Sequence, residues 1–303
     1  MTIHLCELFE DILCKAMAEM MEDCGKDLAA PKDGDNAGRD LATVVHYLLY
    51  ADDSALVATS AEQLGSMLSC CHAVAQAVRF EFAPSKSQVM VFGPGGKTRH
   101  KLEQHRWYLG GKLLRVETKQ LVYLGVTLTP RLGWRAMQAA VAARLPGRVG
   151  SVCSMNRAYG ADHPRLIRAV GHNLVGSTIE TASAVWAGSA VTAQFVGKCE
   201  RAWGSVMCVA LRLPRRASFT VLRGEMGVWR VRSRWIALRL IMYFKYALLP
   251  EEDWRSIVWH AGRRLAMREV PVAAAWHTDT REFLTEVGFP ALAWDDPRAY
   301  LAQ

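Results

Sequence analysis

Two adjacent aspartates, Asp52 and Asp53, stand in a largely apolar run, VVHYLLYADDSALVA, that spans residues 44–58. Val44, Val45, Tyr47, Leu48, Leu49 and Tyr50 precede them, and Ala55, Leu56, Val57 and Ala58 follow. Short runs of β-formers broken at one polar point predict two buried strands joined by a tight turn. Neighbouring carboxylates in such a place disfavour each other's ionisation. A divalent cation removes that conflict, and Mg2+ takes carboxylate oxygens readily. The chemistry that suits the pattern is metal-assisted phosphoryl transfer on a polynucleotide. Against it stands the commoner use of Asp-Asp as turn punctuation, because aspartate accepts backbone hydrogen bonds and tolerates turn conformations.

The elements that would position these side chains follow from periodicity. In residues 61–78, Leu64, Met67, Leu68, Cys71, Val74, Ala75 and Val78 recur every three or four positions, which predicts an amphipathic helix. A strand is expected over residues 89–92 and a strand pair over residues 119–128. Upstream, Leu5, Leu8, Phe9, Ile12, Leu13, Met17 and Met20 mark another helix, and residues 26–40 read as a loop rich in Gly, Pro and alternating charge. Residues 1–130 thus alternate helices with strands, an α+β pattern. From about Trp134 the chain reads as helical, with breaks expected at Pro146-Gly147, Pro164, Pro214 and Pro250. Residues 169–196, low in charge, predict one or two buried helices rather than a membrane span. Glu251, Glu252 and Asp253 are favourable charges for the start of a final helix.

Four segments in one order carry a resemblance. They are Tyr50-Ala51-Asp52-Asp53, the helix over 61–78, the stretch 80–92 containing Ala83-Pro84-Ser85-Lys86-Ser87, and Tyr123-Leu124-Gly125 within 119–128. Together they resemble the distal palm of a reverse transcriptase of the non-LTR (LINE-like) retrotransposon type. The aspartate pair looks like that family's catalytic hairpin, and the Lys86 segment is similar to its Asn-x-x-Lys-Thr stretch, with Ala83 in place of the asparagine. The Tyr-Leu-Gly segment looks like its primer-grip hairpin. Weaker similarity continues to about Leu249, through residues 194–217 and 222–240.

The resemblance implies a partial polymerase palm (an antiparallel sheet with helices) over 1–130. A helical thumb and connection region would follow over 131–250, then a helical tail over 251–303 with no recognised role. It implies RNA-directed DNA polymerase chemistry with Mg2+ or Mn2+, an RNA template, a DNA primer and deoxynucleotide triphosphates. Asp52 would be the principal metal ligand and Asp53 the supporting one, with Lys86 supplying a proton or positive charge near the departing pyrophosphate. Tyr50, Ala51, Tyr123, Leu124 and Gly125 would lie against the primer. In this family a strand bearing a first aspartate and a Gln-Gly segment precede the hairpin. Residues 4–13 look like the helix just after that segment, so the chain reads as N-terminally truncated and inactive on its own. A non-catalytic nucleic-acid-binding remnant is the alternative.

Composition accords with an anionic partner. The 303 residues are 51% hydrophobic, with a net charge of +8 and a pI near 9.2. Basic residues gather at Arg212, Arg215, Arg216, Arg223, Arg230, Arg232, Arg234, Arg239 and Lys245, with Trp203, Trp229 and Trp235 interleaved or close by. Arginine among aromatics suits phosphate contact and base stacking. The plain alternative is a helical bundle whose arginines snorkel from an apolar face. Arg212, Arg215 and Arg216 are the nucleic-acid contacts this pattern nominates. The eight cysteines show no metal-ligand spacing, and with no secretory leader they are expected to be reduced, in a soluble nuclear or cytoplasmic protein. Gly93-Pro94-Gly95-Gly96-Lys97-Thr98 ends like a phosphate-binding loop, but Val91 occupies the position of the first required glycine. A turn tipped with solvated charge is expected there instead.

Overall fold

The computed structural model describes residues 47–50, 53–93, 95–159, 164–214, 216–267 and 275–302. The expected helix over 5–20 and loop over 26–40 lie outside the described residues, as do Ala51, Asp52 and Arg215. The architecture mixes helices with small sheets, an α+β arrangement. Two compact units can be separated, Met1–Lys119 with Glu251–Arg264, and Gln120–Pro250 with Leu265–Gln303.

In the first unit, β1 (Tyr47–Tyr50) and β2 (Asp53–Leu56) pair antiparallel, Tyr47 opposite Leu56 and Tyr50 opposite Asp53. Helix α1 (Ala61–Ala77) follows. Its start is fixed by a reciprocal cap: Ser60 Oγ accepts from Gln63 N at 3.1 Å, and Gln63 Oε1 accepts from Thr59 N at 2.8 Å. Its end is a Schellman turn in which Phe80 N donates to Ala75 O and Arg79 N to Gln76 O. The apolar stripe read from the sequence is the one that packs: Leu68, Cys71 and Val74 are buried with Val89, Trp107, Leu109 and Leu114, and Leu64 and Val78 lie against them.

The strand expected over 89–92 is only β3 (Gln88–Val89), and Phe92 is exposed. Where a turn alone was expected after Gly93, the chain enters α2 (Lys97–Glu103), stitched by an Arg99–Glu103 pair one turn apart. Two short strands, β4 (Tyr108–Leu109) and β5 (Lys112–Leu113), form a hairpin on Gly110-Gly111, both at positive φ. A Cβ on Gly110 would lie 2.8 Å from the His72 ring, so the turn also needs glycine for its close approach to α1. Strand β6 (Arg115–Val116) then returns parallel to β3, the intervening residues supplying the long crossover that a parallel pair requires. Among the described residues the strands therefore make separate two-stranded ladders, one of them parallel, rather than one antiparallel sheet.

The second unit opens with a hairpin of β7 (Leu121–Tyr123) and β8 (Val126–Leu128). Helix α3 (Arg135–Tyr159) runs straight through the expected break at Pro146-Gly147. Its Met137, Val141, Leu145 and Val152 are buried, with Val149 against the same core, while Pro146 faces solvent. A proline inside a helix costs about 3 kcal/mol through a lost hydrogen bond and a carbonyl clash. The continuous apolar stripe on both sides of it offsets that cost.

Helix α4 (Pro164–Gly171), a π-helical turn (His172–Gly176), α5 (Ser177–Glu180) and α6 (Ser183–Trp186) replace the expected one or two helices over 169–196. Ala182, at φ 51°, breaks the chain's direction between the last two. Then α7 (Ala193–Ala210) buries Phe195, Cys199, Trp203, Val206 and Met207. Its N-cap Thr192 accepts from Phe195 N at 3.2 Å. Two further helices are α8 (Phe219–Met226), closed by Gly227 in the left-handed region, and α9 (Val231–Ala247). Trp186, Phe195 and Trp235 pack ring against ring, 5.4 to 5.9 Å between centroids.

The helix expected to begin on the acidic triplet is α10 (Trp254–Met267), and Asp253 is its cap, accepting from Arg255 N at 2.9 Å. It is not final. After it come α11 (Ala275–Glu286), α12 (Leu292–Asp295) and α13 (Pro297–Leu301). No helix among the described residues is long and apolar enough to cross a membrane.

Candidate nucleic-acid interface

The hairpin of β1 and β2 gives Asp53 its setting. Side chains alternate faces along a strand and cross-strand pairs share one, so Tyr47, Ser54 and Leu56 belong to one face. Tyr47 and Leu56 pack against the first unit's core, and the Tyr47 hydroxyl lies 3.1 Å from Ser54 Oγ. Tyr50 and Asp53 occupy the opposite face, and both are exposed. The two runs expected to be buried strands are therefore a half-buried ladder, with Asp53 in solvent on its last rung before the connection. Its partner in the sequence pattern, Asp52, lies outside the described residues, as does Ala51. Among the described residues no three His, Cys, Asp or Glu side chains group as a metal site.

Lys86 is exposed on the turn after α1. The Ala83 carbonyl closes that turn, accepting from Lys86 N, Ser87 N and Ser87 Oγ, each at 3.0 Å. Backbone and a serine hydroxyl thus do here what an asparagine side chain does in other turns. The turn leads into β3, whose Val89 is buried. Tyr123, Leu124 and Gly125 are the tip of the second unit's hairpin. Leu124 and Gly125 both have positive φ, 46° and 78°, the geometry of a two-residue type I′ turn. Glycine suits that region and leucine does not. Behind the tip, Thr127 is buried, its N–H 3.4 Å from Met137 Sδ on α3. The structure thus pairs Tyr50 with Asp53 and holds Tyr123, Leu124 and Gly125 on one turn; the first pair belongs to one unit and the triad to the other.

The arginine-rich stretch divides by use. Arg223 donates to Glu200 Oε2 at 2.8 Å while Glu200 Oε1 accepts from Val231 N at 2.8 Å, so one carboxylate ties α7, α8 and the first turn of α9. Arg232 pairs with Glu286 and Arg234 with Glu180. Arg239 is buried beside Asp279. Trp203 and Trp235 are core residues. The snorkelling alternative describes much of this stretch. Arg212, Arg216, Arg230 and Lys245 remain exposed, and Trp229 is 63% exposed.

Further exposed arginines lie on an element before that stretch. Helix α3 carries Arg135, Arg144, Arg148 and Arg157, all exposed, and not one acidic residue. The signal was available: residues 118–161 hold six Lys or Arg and neither Asp nor Glu. Arginine density singles out 212–245, whereas the arginines of α3 lie in a stretch without acid. No protein-family profile matches the chain, and neither curated proteins nor solved structures give a significant match.

Proposed function

We propose that this chain is the distal palm and thumb of an RNA-directed DNA polymerase of the non-LTR retrotransposon type, acting in the nucleus or cytoplasm. By itself it would hold nucleic acid rather than extend a primer. The observation that carries the reading is Asp53, an exposed carboxylate that opens β2 opposite Tyr50, within Tyr50-Ala51-Asp52-Asp53. Mg2+ binds through one or two carboxylates together with substrate phosphates, and an adjacent aspartate pair supplies that donor set. Asp52 and Asp53 would hold Mg2+ or Mn2+, which supplies Lewis-acid stabilisation of the transferring phosphoryl group. Lys86 would place positive charge near the pyrophosphate, and Tyr123, Leu124 and Gly125 would bear on the primer end. Template RNA, primer DNA and deoxynucleotide triphosphates are the partners that follow. Two ions call for carboxylates converging from more than one strand, and among the described residues no such group is present.

The second reading, a nucleic-acid-binding protein with no polymerase role, is favoured by the four exposed arginines of α3, a helix with no acidic residue. Both readings expect binding of an RNA–DNA hybrid that weakens steeply with salt, with a log–log slope of about −0.7 to −0.9 per phosphate contacted. Arg144→Glu with Arg148→Glu should make that slope shallower by about 1.5. A slope that ignores salt removes both. Primer extension on an RNA template separates the readings when chain and Asp52→Ala variant are compared with Mg2+ or Mn2+. The chain alone should extend nothing, and added proximal-palm protein should restore extension that Asp52→Ala abolishes. If restoration never occurs while binding persists, the second reading stands.

A further inference from the structure

We infer that the cleft between the π-helical turn and the end of α8 binds one unstacked nucleotide of a single strand. The base would lie against the tryptophans and the phosphate against Arg168 and Arg234. This rests on the nucleic-acid reading above and narrows it to a place. The cavity has a volume of about 220 Å³, and its walls include Arg168, His172, Glu180, Trp203, Trp229 and Arg234. Pockets for drug-sized ligands start at about 300 Å³, so this one suits a single ring system.

Each wall has a reason to be there. Trp203 and Trp235 are buried and make a fixed floor, Trp235 donating from Nε1 to Ile179 O at 3.1 Å. Trp229 lies at the same cavity yet is mostly in solvent, an uncommon place for the largest apolar side chain. His172 is the first residue of the π-helical turn, its ring 6.3 Å from that of Trp203. Such turns are rare and concentrate at functional sites. This one is held against α7 by glycines: a Cβ on Gly171 would lie 2.4 Å from Val206, and one on Gly176 would lie 2.9 Å from Trp203.

The cations are placed but not exhausted. Arg168 spends one Nη on the Gly227 carbonyl at 3.3 Å, and Arg234 spends Nε on Glu180 at 3.1 Å. A guanidinium has five N–H donors, so both keep donors for a phosphate. Two guanidiniums against one carboxylate give the walls an excess of positive charge, the right sign for a phosphodiester. Aromatic faces take bases without regard to sequence, so the site should capture a displaced or overhanging nucleotide of any identity.

The test uses the full chain with two probes, a blunt RNA–DNA hybrid and the same hybrid bearing a single-stranded overhang. The overhang should tighten binding about tenfold. Trp229→Leu should erase that gain. Arg168→Gln, which keeps a donor for Gly227, should reduce the gain without erasing it. Uridine monophosphate alone should quench the fluorescence of the wild type but not of Trp229→Leu. If Trp229→Leu keeps the full gain, or if no gain exists while blunt binding does, the inference is overturned and the interface reading survives. Uridine monophosphate quenching without hybrid binding would keep the pocket and sink the interface reading. Competition by an acidic aromatic peptide but not by the nucleotide would overturn the inference in favour of a protein ligand.

Discussion

Arg239 of α9 meets Asp279 of α11 at 3.4 Å with its own side chain only 1% exposed. Its other donors reach Val185 O at 3.0 Å and Trp276 O at 3.4 Å, and its guanidinium lies 5.5 Å from the centroids of Trp276 and Phe283. Burial draws its pKa down to about 10, a pull that Asp279 opposes. Removing one partner of such a pair strands a charge, at a cost of about 3–5 kcal/mol. Asp279→Ala should therefore lower the urea midpoint sharply, and Arg239→Met combined with Asp279→Ala should recover part of the loss. A double variant as unstable as the sum of the singles would show that the pair is uncoupled.

Buried thiols set the alkaline limit. Burial pushes Cys199 and Cys71 up to about 12 from an ordinary 9.0. The unfolded chain releases those protons first, so their stabilisation is whole below about pH 9 and is lost progressively from there to about 12. The slope is at most about 1.4 kcal/mol per pH unit for each thiol. Arg239 works the other way, since its depressed pKa makes folding more favourable as pH rises above about 10. Urea unfolding between about pH 9 and 10 should show falling stability, and Cys199→Ala should make the fall shallower. Equal slopes in the two proteins would count against a buried protonated thiol.

The hairpin tip holds leucine where glycine belongs. Left-handed backbone costs a non-glycine residue roughly 1–2 kcal/mol, and Leu124 sits at φ 46°. Leu124→Gly should leave stability unchanged or raise it by about 1 kcal/mol, the relief of strain being partly cancelled by a freer unfolded chain. If the tip bears on a primer, the same variant should weaken hybrid binding. A gain in thermal midpoint with unaltered binding would leave Leu124 without a role in recognition.

Gly204 faces the Phe219 ring so closely that an added Cβ would lie 2.3 Å from it. Gly204→Ala should destabilise the second unit by about 1–3 kcal/mol, the usual cost of overpacking. Combining it with Phe219→Leu should restore much of the difference in a thermal melt. No loss from Gly204→Ala alone would contradict the contact.

Sequence periodicity located α1 almost to the residue, because its apolar stripe and its Ser60 cap are local and act together. It also placed the hairpins at Asp53 and at Leu124-Gly125, where short β-rich runs flank the turn. Pro146 was misread because a proline's cost is local, whereas the burial of Leu145 and Val152 that overrides it depends on α7, far along the chain. Likewise, nothing in HNLVG announces a π-helical turn, and the close approach of Trp203 to Gly176 comes from α7, far along the chain.

By itself the sequence determined which residues can do chemistry: an aspartate pair between β-forming runs, a lysine after α1, and arginines in excess of acids. Only the tertiary structure decided which of those arginines are tied to acids. Arg223, Arg232, Arg234 and Arg239 meet Glu200, Glu286, Glu180 and Asp279 from tens of residues away, while the arginines of α3 meet none among the described residues. For the arginines of 223–239 availability depends on what folds beside them, and their neighbours in sequence do not record that.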